Sequence, residues 1–174
     1  MTDAATITQD DLAGLIAGAA DAATASAVQL IDVRPARLFA AAHIPGAINV
    51  PFESLADATA ASLADAGLDP ARDTVVYGRK DEAGRKAAVA LAALGFGNLR
   101  VLDGGMNLWL RDQRLCDPPV KGWACGVCSY GYQVHRGDDS TGVEPGTLFE
   151  ELPAGWRCPW CGAMKDRFIK ETWT

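Results

Sequence analysis

The chain has 174 residues, of which 49% are hydrophobic, a composition typical of a folded globular protein. Its net charge is −6, and it lacks the stripe of Lys and Arg that nucleic-acid binding requires, so nucleic acid is excluded as a partner. No apolar run approaches the roughly 20 residues that cross a bilayer, and the acidic first residues lack the pattern of a secretory signal, so the composition predicts a cytoplasmic protein without a membrane partner.

The first two thirds of the chain alternate between helix and strand signals. A capping hydroxyl at Thr8, followed by acids, predicts a helix start, and Leu12, Leu15 and Ile16 form its apolar face. Further elements are predicted, in chain order, as a strand over 28–33, a helix over 37–42, a strand over 47–50, an alanine-rich helix over 53–66, a strand over 74–77, a helix over 84–94, a strand over 99–102 and a helix over 107–114. This alternation indicates a parallel sheet with helices on both faces.

Residues 1–116 resemble a single rhodanese domain. The resemblance covers almost all of this segment and runs through Leu30-Ile-Asp32-Val-Arg34, Ala42-His43-Ile-Pro45-Gly46-Ala47-Ile-Asn49-Val-Pro51, Val75-Val76-Tyr77, Leu94-Gly95-Phe96 and Leu102-Asp103-Gly104-Gly105-Met106-Asn-Leu-Trp109. It implies an α/β fold with a five-stranded parallel sheet. It also implies transfer of sulfane sulfur through a cysteine that follows the central strand.

That cysteine is missing. Counting back without gaps from Leu94-Gly95-Phe96 places Gly78 at the nucleophile position, and glycine has no group that could form a persulfide. The one cysteine of this segment, Cys116, follows the last helix and is interpreted as having no catalytic role. The segment is therefore predicted to be catalytically silent.

The loop that begins at Gly78 could still bind an anion. Backbone N–H groups at a helix N-terminus attract negative charge, and four basic side chains add to this, offset in part by Asp81 and Glu82: Arg79, Lys80, Arg85 and Lys86. The alternative is a set of solvated side chains around a vestigial site.

Three polar residues of the rhodanese-like segment are predicted to be structural. Asp32 and Arg34 are interpreted as an internal ion pair or loop brace, and His43 as part of the His-Ile-Pro-Gly turn.

A domain boundary is predicted at Asp117-Pro118-Pro119-Val120. The double proline cannot continue a helix, and the composition changes there from Ala and Leu to Trp, Gly, Cys and Pro. The predicted organisation is a rhodanese-like domain over 1–116, a linker over 117–121 and a second domain over 122–174.

The second domain holds two cysteine pairs, Cys125-Gly-Val-Cys128 and Cys158-Pro-Trp-Cys161, separated by 29 residues. Two such pairs complete a tetrahedral shell of four sulfurs around one metal ion. A closed shell suits a structural ion or a redox ion that keeps its ligands. The spacing alone does not separate iron from zinc, and a structural zinc site is the simpler interpretation of the cysteines by themselves.

The surrounding residues resemble a rubredoxin from about Lys121 to Thr174. The matching stretches are Trp123-Ala-Cys125-Gly-Val-Cys128-Ser-Tyr130-Gly-Tyr132, Gly142-Val143-Glu144-Pro145-Gly146-Thr147, Phe149, Leu152-Pro153-Ala-Gly-Trp156-Arg-Cys158-Pro159-Trp-Cys161-Gly162 and Lys165-Asp166-Arg-Phe168. The resemblance implies a small fold of a three-stranded sheet and loops around one Fe(Cys)4 centre, in which zinc can substitute for iron. Gly162 is expected at positive φ, and Ser129 stands where rubredoxins usually have glycine.

Together these patterns predict a one-electron carrier with a silent rhodanese-like domain for docking or for binding a partner or small anion. Its redox partners would be a reductase as donor and an oxidoreductase as acceptor. Two alternatives remain: an interaction protein with structural zinc, and an enzyme of sulfur metabolism.

Overall fold

The computed structural model describes residues 4–18, 28–120 and 122–171. Lys121 of the predicted linker lies outside these ranges, as do the first three and last three residues of the chain. Among the described residues, no helix is both long enough and apolar enough to cross a membrane.

The first part of the chain forms the expected parallel sheet. Its strands are β1 (Ala5–Ile7), β2 (Gln29–Asp32), β3 (Ile48–Asn49), β4 (Thr74–Tyr77) and β5 (Leu99–Leu102), and its helices are α1 (Gln9–Gly18), α2 (Ala36–Ala41), α3 (Ala60–Asp65), α4 (Asp81–Ala93) and α5 (Gly105–Arg111). The strand order is β1-β5-β4-β2-β3, and every pair is parallel. The predicted fold class is confirmed.

Both faces of the sheet are buried. Successive residues of a strand point to opposite faces, and accordingly Val75 and Leu102 belong to one apolar cluster while Val76 and Val101 belong to another. All four strand positions of β2 and of β4 are buried, so these two strands form the centre of the domain.

The sequence predicted β4 and β5 with their observed bounds, but one helix was wrong. The continuous helix predicted over 53–66 is a 3-10 helix (Phe52–Ala56) followed, after a break, by α3. The break occurs because Thr59 adopts an extended conformation and its side chain accepts a hydrogen bond from the Ser62 N–H, while the Ser62 hydroxyl oxygen accepts one from the Thr59 N–H. This capping box starts a new helix.

The second part of the chain is a small antiparallel sheet with loops. Its strands are β6 (Gly122–Cys125), β7 (Gly131–Gln133) and β8 (Phe168–Lys170), with β6 in the middle. Phe149 is the hub of the core, stacked on Trp123 at a ring distance of 4.3 Å and in contact with Tyr132, Trp156 and Phe168. Aromatic rings therefore form the core of this part of the chain.

The two parts pack against each other. One buried apolar cluster includes Trp109 and Leu110 of α5 together with Tyr132, Val134 and Leu148 of the small sheet and its loops. The cluster on the other face of the parallel sheet lies entirely before residue 117. The fold thus has one shared core and one that belongs to the first part alone.

Candidate metal centre

Each cysteine pair lies in a tight turn whose backbone closes on itself. In the first turn the Ser129 N–H donates to the Cys125 carbonyl at 2.9 Å, and the Cys125 N–H donates to the Tyr130 carbonyl at 2.8 Å. In the second turn the Gly162 N–H donates to the Cys158 carbonyl at 2.8 Å, and the Cys158 N–H donates to the Ala163 carbonyl at 2.8 Å. The two turns are equivalent in backbone geometry although only the first begins on a strand.

The residue that follows each pair has positive φ. Gly162 has φ 76°, as predicted, and Ser129 has φ 62° at the equivalent place. A side chain in this left-handed region is strained, so the serine costs the first turn some stability.

The four sulfurs converge. Cys125 Sγ lies 3.7 Å from Cys161 Sγ, Cys128 Sγ lies 3.5 Å from Cys158 Sγ, and all four atoms lie within 4.8 Å of one another. A tetrahedron with metal–sulfur bonds of about 2.3 Å has sulfur–sulfur edges of about 3.8 Å. The donor set and its dimensions therefore fit one tetrahedral metal ion, and the structure brings together all four of the predicted ligands.

Electrostatics in this cluster favour a cation. Burial raises the pKa of the Cys125 thiol, but hydrogen bonds from the backbone N–H groups of Val127 and Cys128 and from the Cys161 and Cys128 side chains together lower it to about 7. The Tyr130 N–H lowers the pKa of Cys128, whereas burial and the neighbouring cysteine side chains raise it more, to about 12. The Cys125 thiolate forms readily, whereas burial and neighbouring cysteine side chains raise the pKa of Cys128 and Cys161. A positive charge at the centre of the cluster would favour the thiolate form of these two residues.

One side of the cluster reaches the surface. Cys125 and Cys158 are buried, whereas Cys161 is exposed and Cys128 is partly exposed. Trp160, between the second pair of cysteines, is 72% exposed, and Val127, between the first pair, is 64% exposed. A partner molecule could therefore approach the ligand sulfurs from this side.

The polar residues of the first domain occupy structural positions, as predicted. Arg34 forms a fully buried ion pair with Asp32 at 2.7 Å, and its Nη2 also donates to the Ala42 carbonyl. His43 stacks on Phe39 at 3.8 Å, and its Nδ1 is 2.9 Å from the Phe39 carbonyl oxygen.

The loop after β4 is closed around Gly78. A Cβ atom at this position would lie 2.6 Å from the Ala83 Cβ, closer than such atoms approach in proteins. The loop also presses on α5, whose Met106 and Asn107 N–H groups donate to the Gly78 and Arg79 carbonyls, both at 3.0 Å. A side chain at position 78 would require this loop to move.

A cleft of about 350 Å³ lies beside Gly78, lined in part by Leu38, Phe52 and Pro35. Three cations also line it, and each is already paired with a carboxylate: Arg34 with Asp32, Arg79 with Glu151 and Lys86 with Glu82. The cleft therefore has apolar walls, and the positive charge of these three side chains is already neutralised.

Two protein families match successive parts of the chain. The rhodanese-like domain model matches residues 14–112, more than half of the chain, and the rubredoxin model matches residues 122–168. The chain belongs to both families. It consists of a rhodanese-like domain followed by a rubredoxin domain.

Two curated relatives resemble the rubredoxin domain. A probable rubredoxin of Methanothermobacter thermautotrophicus is 49% identical over 49 residues, which are 28% of this chain and 78% of that protein. Rubredoxin-2 of Chlorobaculum tepidum is 46% identical over 48 residues, which are 28% of this chain and 92% of that protein.

Among solved structures, the rhodanese-like domain resembles the Alr3790 protein of Anabaena. The two are 27% identical with a TM-score of 0.53, over 63% of this chain and 79% of that one. This likeness agrees with the five-stranded parallel sheet.

The sequence does not predict the ion pairs that Glu144 and Glu151 form. Both lie in the rubredoxin domain, and both pair with basic residues of the rhodanese-like loop. The only available signal was the excess of basic residues in that loop, which predicted an anion but not its source.

Proposed function

We propose that the chain is a one-electron carrier in which Cys125, Cys128, Cys158 and Cys161 hold a single iron ion. The observation that carries the proposal is the convergence of four sulfurs, with two sulfur–sulfur distances of 3.5 and 3.7 Å, in a rubredoxin domain. When bound there, iron supplies a ferric–ferrous couple that gains and loses an electron without exchanging ligands.

The protein's part is to keep the four sulfurs in place and to stabilise their charge. Backbone N–H groups of Val127, Tyr130 and Ala163 point at three of the sulfurs. Such hydrogen bonds favour the thiolate form and tune the reduction potential. Both turns are fixed by their own backbone bonds, so little reorganisation accompanies a change of charge.

We place the site of electron exchange at the exposed side of the centre. Cys161 reaches the surface there, and the neighbouring Val127, Trp160, Met164 and Ile169 are exposed apolar side chains. An apolar surface of this kind suits transient contact with a redox protein. A reductase would deliver the electron and an oxidoreductase would accept it, in the cytoplasm, where free thiols stay reduced.

The rhodanese-like domain has a non-catalytic role in this proposal. With Gly78 at the nucleophile position, no sulfur atom is available to carry a persulfide. The loop that begins at Gly78 would instead bind a partner or a small anion.

Two alternatives belong to other functional classes. The same four sulfurs would hold structural zinc, which makes the chain an interaction protein without redox activity. An enzyme of sulfur metabolism would need to receive sulfur noncovalently beside Gly78 and would turn over thiosulfate or a persulfide donor.

A visible absorption spectrum with metal analysis tests the proposal on protein expressed with ample iron. We expect one iron per chain, a red colour from ferric tetrathiolate and reversible bleaching by dithionite. Colourless protein that contains zinc must first be reconstituted with iron.

Two variants make the assignment specific. Cys161→Ser should abolish the colour, whereas Cys116→Ser, which changes a cysteine outside the cluster, should leave it unchanged. Iron-loaded protein that does not bleach reversibly would eliminate the carrier role.

A further inference from the structure

The basic loop of the rhodanese-like domain is already occupied by carboxylates. Arg79 Nε lies 3.1 Å from Glu151 Oε1, and Lys80 Nζ lies 2.6 Å from Glu144 Oε2. Both acids belong to the rubredoxin domain. The side chain of Glu151 is only 8% exposed, whereas that of Arg79 is 47% exposed, so the carboxylate of this ion pair is sheltered from solvent and the guanidinium is half-exposed.

Glu151 is itself held in place. Its Oε2 accepts a hydrogen bond from the Leu148 N–H at 2.9 Å, which caps the 3-10 helix Phe149–Glu151. The carboxylate therefore presents one oxygen to its own domain and the other to Arg79. A group fixed in this way loses less entropy on pairing than a mobile surface acid.

The loop backbone is fixed from the other side. The Gly78 and Arg79 carbonyls accept hydrogen bonds from the first residues of α5, Met106 and Asn107. The rubredoxin backbone reaches the same helix, since a Cβ atom on Gly146 would lie 2.1 Å from the Asn107 carbonyl oxygen. Loop, helix and rubredoxin segment meet in one tight contact.

We infer that the loop Gly78-Arg79-Lys80 is a docking socket whose anionic ligand is the acidic segment 144–151 of the chain's own rubredoxin domain. The inference rests on the proposed function only in treating this loop as non-catalytic. It names the partner that the loop binds.

The socket has a functional consequence for the metal centre. With the rubredoxin domain docked, Cys161 and Trp160 are still exposed. The socket therefore fixes the orientation of the rubredoxin domain while leaving the ligand sulfurs open to a redox partner.

Two glycines of the rubredoxin domain provide a matched test. Gly146 and Gly142 both have positive φ, 83° and 71°, so alanine is strained at either position, but a Cβ on Gly142 meets nothing within 4 Å. Only Gly146→Ala also forces the domain away from Asn107. A second test uses the double variant Arg79→Glu/Lys80→Glu, which reverses the charge of the socket. Its control is Lys86→Glu, because Lys86 pairs with Glu82 of the same helix.

The measurement is 15N relaxation of the zinc-loaded full chain, which gives a rotational correlation time for each domain. In the native chain and in the two controls, the two domains should have the same rotational correlation time. Gly146→Ala and the double charge reversal should give the rubredoxin domain a shorter correlation time than the rhodanese-like domain, because each removes a contact that fixes the orientation of the two domains. If Gly146→Ala does not fold, the charge reversal decides.

The inference would be overturned if the two domains of the native chain had different rotational correlation times. It would also be overturned if the two domains kept the same correlation time in both socket variants. Iron-loaded samples of the same proteins test the carrier role independently. A native chain with one common time that does not bleach reversibly would disprove the proposed function while leaving the socket in place.

Discussion

Ser129 occupies a backbone conformation that Gly162 occupies in the other turn of the metal centre. Glycine adopts positive φ without steric cost, whereas a residue with Cβ pays roughly 1–2 kcal/mol there. The equivalent hydrogen bonds of the two turns indicate that the strain at Ser129 is tolerated and does not distort the first turn.

Replacing Ser129 should therefore stabilise the metal-loaded protein. We expect Ser129→Gly to gain about 0.5–1 kcal/mol, the relief of strain less the larger entropy of the unfolded glycine. The reciprocal change, Gly162→Ser, should destabilise by a similar amount. Thermal bleaching of the iron-loaded variants measures both, and a lower bleaching temperature for Ser129→Gly would mean that the hydroxyl has a role of its own.

Cys116 is the one cysteine outside the metal cluster, and it is 5% exposed. Burial raises the pKa of its thiol from 9.0 to about 11, although nearby Arg34 and a hydrogen bond involving Trp109 lower it in part. The folded state therefore favours the neutral thiol more than the unfolded state does.

This difference predicts a stability change at alkaline pH. The stabilisation is complete below about pH 9 and is lost as the pH rises towards 11, by at most roughly 2–3 kcal/mol. Unfolding of the native chain and of Cys116→Ala should be compared between pH 8 and 11, because tyrosines titrate in the same range in both proteins. A constant difference between the two curves would contradict the assignment, as would rapid alkylation of Cys116 by iodoacetamide at pH 8.

At the level of the elements, buried strands were the most predictable part of the fold. β4 is a short, mostly apolar run between Asp73 and Gly78, and burial of all four of its positions leaves little freedom in its bounds. β1 was missed because it has three residues, two of them exposed, and pairs only at the edge of the sheet with β5. Its formation depends on a partner almost a hundred residues away.

The break before α3 shows a different limit. Alanine favours helix throughout 53–66, and propensity alone gives no reason to stop. The break depends on the side chains of Thr59 and Ser62 competing for backbone groups, which is a local choice that helix propensity does not weigh.

The metal centre was predictable because its ligands are local pairs in a recognised pattern, whereas the socket was not. Lys80 and Glu144 are separated by 64 residues, and neither belongs to a motif that calls for the other. Exposed charges of this kind usually face solvent. Only the packing of the two domains shows that the basic loop and the acidic segment are partners.

At the level of the whole molecule, the two domains differ in what stabilises them. The rubredoxin domain, about 50 residues long, is too small to be stable on its aromatic core alone and depends on the metal. The rhodanese-like domain shares one core with it but keeps the other to itself. Loss of the metal should therefore affect the two domains differently.

Cys158→Ser removes one ligand and tests this division, together with the predicted boundary at Pro118-Pro119. We expect loss of the colour and of dispersed amide signals from 122–171, because three sulfurs no longer close the shell. Signals from β2, β4 and α4 should persist, because the apolar cluster on the other face of the parallel sheet consists only of residues before 117. The melting temperature of this remaining domain should fall, because its shared face becomes exposed. Cys116→Ser serves as the control that keeps both sets of signals, and simultaneous unfolding of the two domains in Cys158→Ser would show that residues 117–121 do not separate independent folding units.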